Sequence, residues 1–394
     1  MITDEYFAAD KPPVRTTPGR WAVTAVFFLN GLTLSTYIVR APSLKDTYHL
    51  SDGRVGLNGL LFALAALACM QFVGPLTVRV GTRTVLRTTL TVMPLLLAGI
   101  AVAPGPWWFT ALGTALGALH GTTDTAMNAS AVAVEQHAGR PVLNGCHAAW
   151  SLSAVVASLC TVALAHAGVS LTVHLLTAGG ALLVAGLALS PRLPGTEAEA
   201  GDGADGSTDG AGLRAGWSRG LLVLALTALA LMICEGGALG WGGIFLHDER
   251  HATLSVAAAA ITAYTGGQTL GRLVGDRLTA RWGENTLFRL GAATAAVGLA
   301  VAVLTPNLAA AVAGFALAGL GSSVLIPLSY SAVGRLPGAP TATLISRLTT
   351  FTYTGILVGP AIIGWTADQI GLTTAMTALI PLMILVTLAP RPRA

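Results

Sequence analysis

Two carboxylates sit in sequence that is otherwise apolar. Asp124 lies about 17 residues into a stretch over 107–133, and Glu235 about 15 residues into one over 220–246. No other acid falls well inside a stretch of that kind. An ionisable group within a membrane span costs roughly 3 kcal/mol or more, which makes each a functional candidate. The chemistry it offers is proton uptake on one side of a membrane and release on the other. His120, Asp124 and Asn128 follow at i, i+4 and i+8 and so share one helical face. That spacing predicts that His120 shares or receives the proton of Asp124. His147, with Trp150 and Ser151 one turn on, is a further proton-coupling candidate. Glu235 is followed by Gly236, Gly237, Gly240, Gly242 and Gly243, and so many glycines predict a weakened or broken helix lining a cavity.

Neutral polar and aromatic residues in the same setting supply contacts for a solute. Beside Glu235 and Asn128, they are Asn30, Tyr37, Asn144, Trp150, Trp241, Tyr264, Gln268, Ser322, Ser323, Tyr330 and Tyr353. A binding cavity is mostly apolar with a few placed polar groups, so a subset of these suffices. Arg79, Arg281, Asp276 and Glu135 lie at the ends of apolar stretches and suit a latch of charge pairs that forms in one state and breaks in another. No P-loop, HExxH or GxSxG occurs, which argues against ATP-driven transport and against an enzyme, and no cofactor is implied. Cys69, Cys146, Cys160 and Cys234 each lie in apolar sequence without metal-ligand spacing, so no metal site is expected.

The elements that position these residues follow from composition. Of 394 residues, 53% are hydrophobic and 10% charged, against about 25% charged in soluble domains. Such a chain cannot cover its surface against water, and it is far too apolar for disorder. Apolar stretches near spanning length (about 20 residues) occur at 21–41, 55–75, 87–104, 107–133, 143–166 and 170–189, then at 220–246, 253–275, 286–304, 308–333, 343–366 and 372–389. The expected fold is an all-α membrane protein of 12 transmembrane helices in two six-helix halves, 21–190 and 220–389. Between them, 191–219 is rich in Gly, Asp and Glu and reads as a flexible linker. The tails are 1–20, which lacks a signal-peptide core, and 390–394.

Placing both termini and the linker in the cytoplasm puts 18 Lys and Arg inside and 4 outside, Arg272 and Arg347 being counted with the inner loops. The basic residues are therefore explained by topology, and no nucleic-acid partner is expected. Leu76-Thr77-Val78-Arg79-Val80-Gly81 and Leu278-Thr279-Ala280-Arg281-Trp282-Gly283 share L-T-x-R-x-G at matching places, which points to internal duplication. Gly113, Gly117 and Gly121, and Gly267, Gly271 and Gly275, read as seams where helices pack closely.

Two six-helix halves, a central linker and a basic turn after the second and eighth stretches together resemble the major facilitator superfamily. Its turn signature, G-x-L-x-D-R-x-G-R-R, is met by Gly74, Leu76, Arg79, Gly81 and Arg83, with Val78 in place of the Asp. The second copy keeps Gly275, Asp276, Arg277, Arg281 and Gly283 in slightly shifted register. Gly121-Thr122-Thr123-Asp124-Thr125-Ala126-Met127-Asn128 is similar to the G-x-x-E-T-A-x-N segment of the fucose-permease-like branch. The segments Arg140–Ser151 and Glu235–Trp241 resemble poorly characterised bacterial members of that branch, although Gly240 stands where those commonly carry an acid before Trp241. The resemblance implies a secondary transporter working by alternating access, in a cell membrane and as a monomer. It implies proton-coupled symport of a small sugar-like or related polar solute, with proton-driven efflux as the alternative. The first stretch lacks the acid of the branch's sugar symporter, so sugar specificity does not carry over. Gly355-Ile356-Leu357-Val358-Gly359-Pro360 is close to the G-x-x-x-G-P-x-x-G element of drug exporters, but on the eleventh stretch instead of the fifth.

Overall fold

A computed structural model of the chain describes residues 19–50, 52–195 and 217–389. The central part of the expected linker and most of both expected tails lie outside these. The described chain is helical, with no strand among the described residues. The helices are α1 (Arg20–Val39), α2 (Ala41–Thr47), α3 (Asp52–Val80), α4 (Thr82–Ile100), α5 (Pro106–Ala138), α6 (Leu143–His166), α7 (Leu171–Leu189), α8 (Arg219–Asp248), α9 (Leu254–Trp282), α10 (Glu284–Leu304), α11 (Leu308–Ser322), α12 (Leu325–Gly334), α13 (Thr341–Ile370), α14 (Leu372–Thr377) and α15 (Leu379–Leu388).

Nine helical segments among the described residues are long and apolar enough to cross a membrane. The other expected stretches fall on α5, on α9 and on the shorter apolar segment Leu372–Leu388. In α5 and α9 the apolar run is diluted by His120, Asp124 and Asn128, and by Gln268, Arg272 and Asp276. Two expected spans are divided. Pro327 and Pro381 each lack an N–H and crowd the carbonyl four residues back, and each lies just past such a division, between α11 and α12 and between α14 and α15. The break expected after Glu235 does not occur. Helix α8 runs through all five glycines, because Gly236 and Gly237 are filled by neighbours: Ile356 O and Pro360 stand against the first, Ile363 and Leu379 against the second.

Packing repeats between the halves. In α1–α7, α1 pairs with α6, α3 with α5 and α4 with α7; in α8–α15, α8 pairs with α13, α9 with α11 and α10 with α15. Close approach is built from small residues: a Cβ on Gly121 would stand 2.6 Å from the carbonyl oxygen of Ala66. The halves cross where α3 meets α13 and α6 meets α9. Three apolar cores follow. One lies within each half, and a third, with Val132, Val134, Leu143, Val333, Leu344 and Leu348, is shared by both at the face where α7 ends and α8 begins. That side is termed the linker face.

Candidate substrate and proton site

Asp124 sits fourteen residues from the linker-face end of α5, about 21 Å along the axis. Its carboxyl has no hydrogen bond or ion pair among the described residues, and its charge acts on the hydroxyls of Tyr330 and Tyr353 from the other half. The expected pairing with His120 is not made. His120 Nδ1 faces Asn30 Oδ1 at 3.2 Å and Nε2 faces the Tyr353 hydroxyl at 2.9 Å, so both ring nitrogens are taken. As placed, a neutral ring donates through Nδ1 to Asn30 and accepts at Nε2 from Tyr353. His120 thus links α1, α5 and α13 across the two halves. Asn128, though on the same face, turns its Nδ2 back to the Asp124 carbonyl at 2.8 Å.

On the other side of the centre, Glu235 of α8 makes no hydrogen bond among the described residues and acts by charge on Arg272 and Tyr264. Arg272 of α9 was counted with the inner loops; it lies within the membrane-spanning body. Its Nη1 donates to Ser151 Oγ at 2.6 Å across the half boundary, and its Nε is buried without a partner. The sequence held the signal: Arg272 precedes the end of its own apolar stretch by three residues, between Gly271 and Gly275. Arg347, likewise counted with the loops, is also buried, stacked on Trp217 at 4.5 Å. His147 is surrounded by Arg272, Phe27 and a stacked Tyr330, with no carboxylate in contact among the described residues. Tyr264 bonds Ser322 at 3.0 Å and Tyr330 bonds Thr349 at 2.9 Å. Around the centre, Asn30 Nδ2, Asn128 Oδ1, His147 Nε2, Gln268 Nε2 and Arg272 Nε are buried and unpartnered. Buried polar atoms are normally satisfied, so these are open to a solute or to water.

The remaining candidates are engaged elsewhere. Trp241 Nε1 donates to Pro360 O at 2.8 Å and its ring covers Gly364, which is packing within the C-terminal half. Ser323 bonds Leu320 O at 2.6 Å and packs on Gly271. Tyr37 lies in an aromatic group with Phe62 and Phe109. Trp150 lies over Gly31, with its indole Cδ1 2.8 Å from where a Cβ would be. The exporter-like glycines on α13 are spent the same way: Gly355 and Gly359 press on the backbone of α8.

The linker face is closed. Asp276 accepts from the backbone N–H of Asn144 and Gly145, both at 3.1 Å, and from Arg20 at 3.5 Å. A carboxylate from one half therefore satisfies the unpaired N-terminal donors of α6 in the other. A Cβ on Gly145 would lie 2.9 Å from the Asp276 Oδ2, so any side chain there would push the carboxylate off its donors. Asn144 belongs to this closure and not to the centre; its side chain packs against Gly275. Glu135 accepts from Val142 and Leu143 N–H at 2.8 and 3.3 Å and also bonds Ser331 across the boundary. Gln136 donates to Gly334 O, Gln71 to Thr350, and Ser346 to Met70 O. Arg79 and Arg281 take no part: both are exposed and pair with nothing among the described residues, because the L-T-x-R-x-G turns point them away from the crossing. The partner of Asp276 is Arg20, 256 residues away and invisible to local spacing.

All of these cross-half contacts lie between the linker face and the level of His120 and Tyr353. The core of the C-terminal half and the far-side core of the N-terminal half share no residue. The centre is thus sealed from the linker face.

Comparison with known proteins agrees with this architecture. The Major Facilitator Superfamily profile matches residues 23–259 and 224–393. A Sinorhizobium fredii protein described as "Uncharacterized transporter y4wD" is 32% identical over 356 residues, covering 89% of this chain and 92% of that protein. "Membrane protein MosC" of Rhizobium meliloti is 30% identical over 388 residues, covering 95% and 91%. The chain therefore belongs to the Major Facilitator Superfamily, and it is a multi-pass membrane transporter, not an enzyme. Among solved structures its fold is similar to the E. coli fucose:proton symporter FucP, with a TM-score of 0.79, and to FucP in the outward conformation, at 0.80. Each is 16% identical, with 94% of this chain and 97% of that one covered.

Proposed function

We propose that the protein is a proton-coupled symporter of a small polar solute, with twelve spans and both termini and the linker in the cytoplasm. The observation that carries this reading is Asp124: a carboxyl deep in α5, between the halves, with no cation or hydrogen-bond donor from the described residues to hold its charge. Such a group costs least in a membrane when it carries a proton, and loading and unloading that proton couples a gradient to the rocking of two halves around a central site. Glu235, Arg272, Asn30 and Gln268 face the solute. His147, beside a guanidinium and without a carboxylate neighbour, is left out of the proton path. Likeness to a fucose:proton symporter supports proton coupling and uptake. With the linker in the cytoplasm, the closed linker face makes this the outward-facing state.

Uptake into proteoliposomes under an imposed pH gradient, screened over sugars, sugar acids and amino acids, tests the coupling. Accumulation of one solute class that collapses with the gradient is expected; gradient-independent uptake of every solute would overturn it. The state assignment has its own reporter in Cys146, fully buried beside Thr24 behind the Asp276 closure. In a chain whose other cysteines are alanine, Asp276→Asn should raise the rate of Cys146 alkylation about 5- to 10-fold, as expected from losing roughly 1–1.5 kcal/mol of charge-assisted closure. An unchanged rate would remove Asp276 from the latch.

A further inference from the structure

We propose that the protein binds an anionic phospholipid in a groove on the flank of its N-terminal half, at the linker face. This site lies apart from the central one and rests only on the protein spanning a membrane with the linker face in the cytoplasm, as proposed above. The groove, of about 1040 Å³, is formed by the linker-face ends of α1, α6 and α7. Its rim carries three arginines that the fold gathers from far-separated places: Arg20 at the start of α1, Arg140 in the α5–α6 turn and Arg192 just beyond α7. Its wall is apolar, running past Ala185 and Leu189 to Phe28 and Leu29. From Arg20 to Leu29 is nine residues of helix, about 14 Å of depth.

A basic rim above a descending apolar wall is the shape of a phosphate headgroup with an acyl chain beneath it. Arginine forks suit phosphate oxygens, and basic pockets between spans on the cytoplasmic side suit anionic headgroups. Trp21, 57% exposed at the groove's edge with the Arg192 guanidinium 5.9 Å above its ring, sits where an indole belongs at a membrane interface. The acidic linker beginning after Gly195 has charge to match the rim, but from Thr196 to Gly210 its only apolar residues are alanines, which cannot fill the apolar wall. A lipid matches both parts. Arg20 also reaches Asp276, so the lipid phosphate and the latch carboxylate draw on one guanidinium.

The test is lipid retention, measured by native mass spectrometry on protein purified from equal mixtures of phosphatidylglycerol and phosphatidylcholine. The parent should retain phosphatidylglycerol at least 5-fold over phosphatidylcholine. The Arg140→Gln/Arg192→Gln variant should lose most of that preference, whereas Arg277→Gln/Arg289→Gln, exposed arginines of the other half, should keep it. Ala185→Trp, which fills the wall and spares every arginine, should also reduce retention and serves if the double variant misfolds. Glycerol 3-phosphate at millimolar concentration should not displace the lipid. Equal loss in the control pair would reduce the effect to general surface charge and overturn the site. Displacement by glycerol 3-phosphate would make it a soluble-anion site instead. A preference that emerges only when the five linker carboxylates are neutralised would assign the groove to the linker.

Discussion

Asp124 and Glu235 are the two carboxylates of the membrane-spanning body, one on each half, and their surroundings differ in kind. Asp124 faces the neutral hydroxyls of Tyr330 and Tyr353. Glu235 faces Tyr264 and the guanidinium of Arg272. A carboxylate near a cation keeps its charge at lower cost, whereas one without a cation is least costly when protonated. Under the proposed function, that difference gives the proton to Asp124 on α5 and leaves a fixed polar wall on α8 and α9. That division is open to direct attack.

The largest effect is expected at Asp124. Asp124→Asn keeps size and hydrogen bonding but cannot titrate, so gradient-driven accumulation should fall at least 10-fold while solute exchange across equal pH stays within about 3-fold of the parent. Glu235→Gln should reverse the pattern, weakening apparent affinity while accumulation at saturating solute remains. If the two variants behave alike in both assays, the halves do not divide the work.

Next in size is Arg272. Arg272→Gln removes a charged donor and leaves Glu235 without its cation. Charged hydrogen bonds contribute about 1.5–3 kcal/mol, so apparent solute affinity should drop roughly 10- to 100-fold. Arg272→Lys, keeping charge without the fork, should fall between. Adding Glu235→Gln to Arg272→Gln should recover part of the loss if the two charges answer each other, and a purely additive double variant would show that they do not.

Much of this division was legible in the sequence, and the part that was not has a physical cause. Asp124 and Glu235 stand out because a charge in apolar sequence has few explanations. Arg272 carried the same signal, but an arginine near the end of a span is equally what inside-positive topology produces, so its role shows only when Ser151 is seen across the boundary. His120 and Asp124 share a helical face, yet helical periodicity says nothing of what the facing helix offers. Tyr353, 233 residues on, claims the histidine ring. The glycines after Glu235 suggest a break only when the helix is considered alone; packed against α13, α15, α11 and α9, they are contact surfaces. The twofold pattern of the chain was readable from L-T-x-R-x-G, but the two crossings at the linker face are not equivalent. One is held by Asp276 on the α6 N-terminus. The other, at Gly74 and Thr343, is neutral, and Val78, which takes the place of the signature Asp in that turn, is exposed.

The smallest effect expected is at Tyr353, and it is the finest probe of the comparison. Its hydroxyl bonds His120 Nε2 and lies within reach of the Asp124 charge, so it connects the proposed proton site to the C-terminal half. Tyr353→Phe removes the hydroxyl and keeps the ring in place. A lost neutral hydrogen bond is worth about 0.5–1.5 kcal/mol, which sets the expected slowing of exchange at about 2- to 10-fold, with solute affinity unchanged. The slowing should vanish in a His120→Leu background, because there the bond has already lost its acceptor. If Tyr353→Phe slows exchange equally in both backgrounds, the hydroxyl acts on Asp124 directly. The proton site would then reach the C-terminal half through Tyr353 alone, without the His120 bridge.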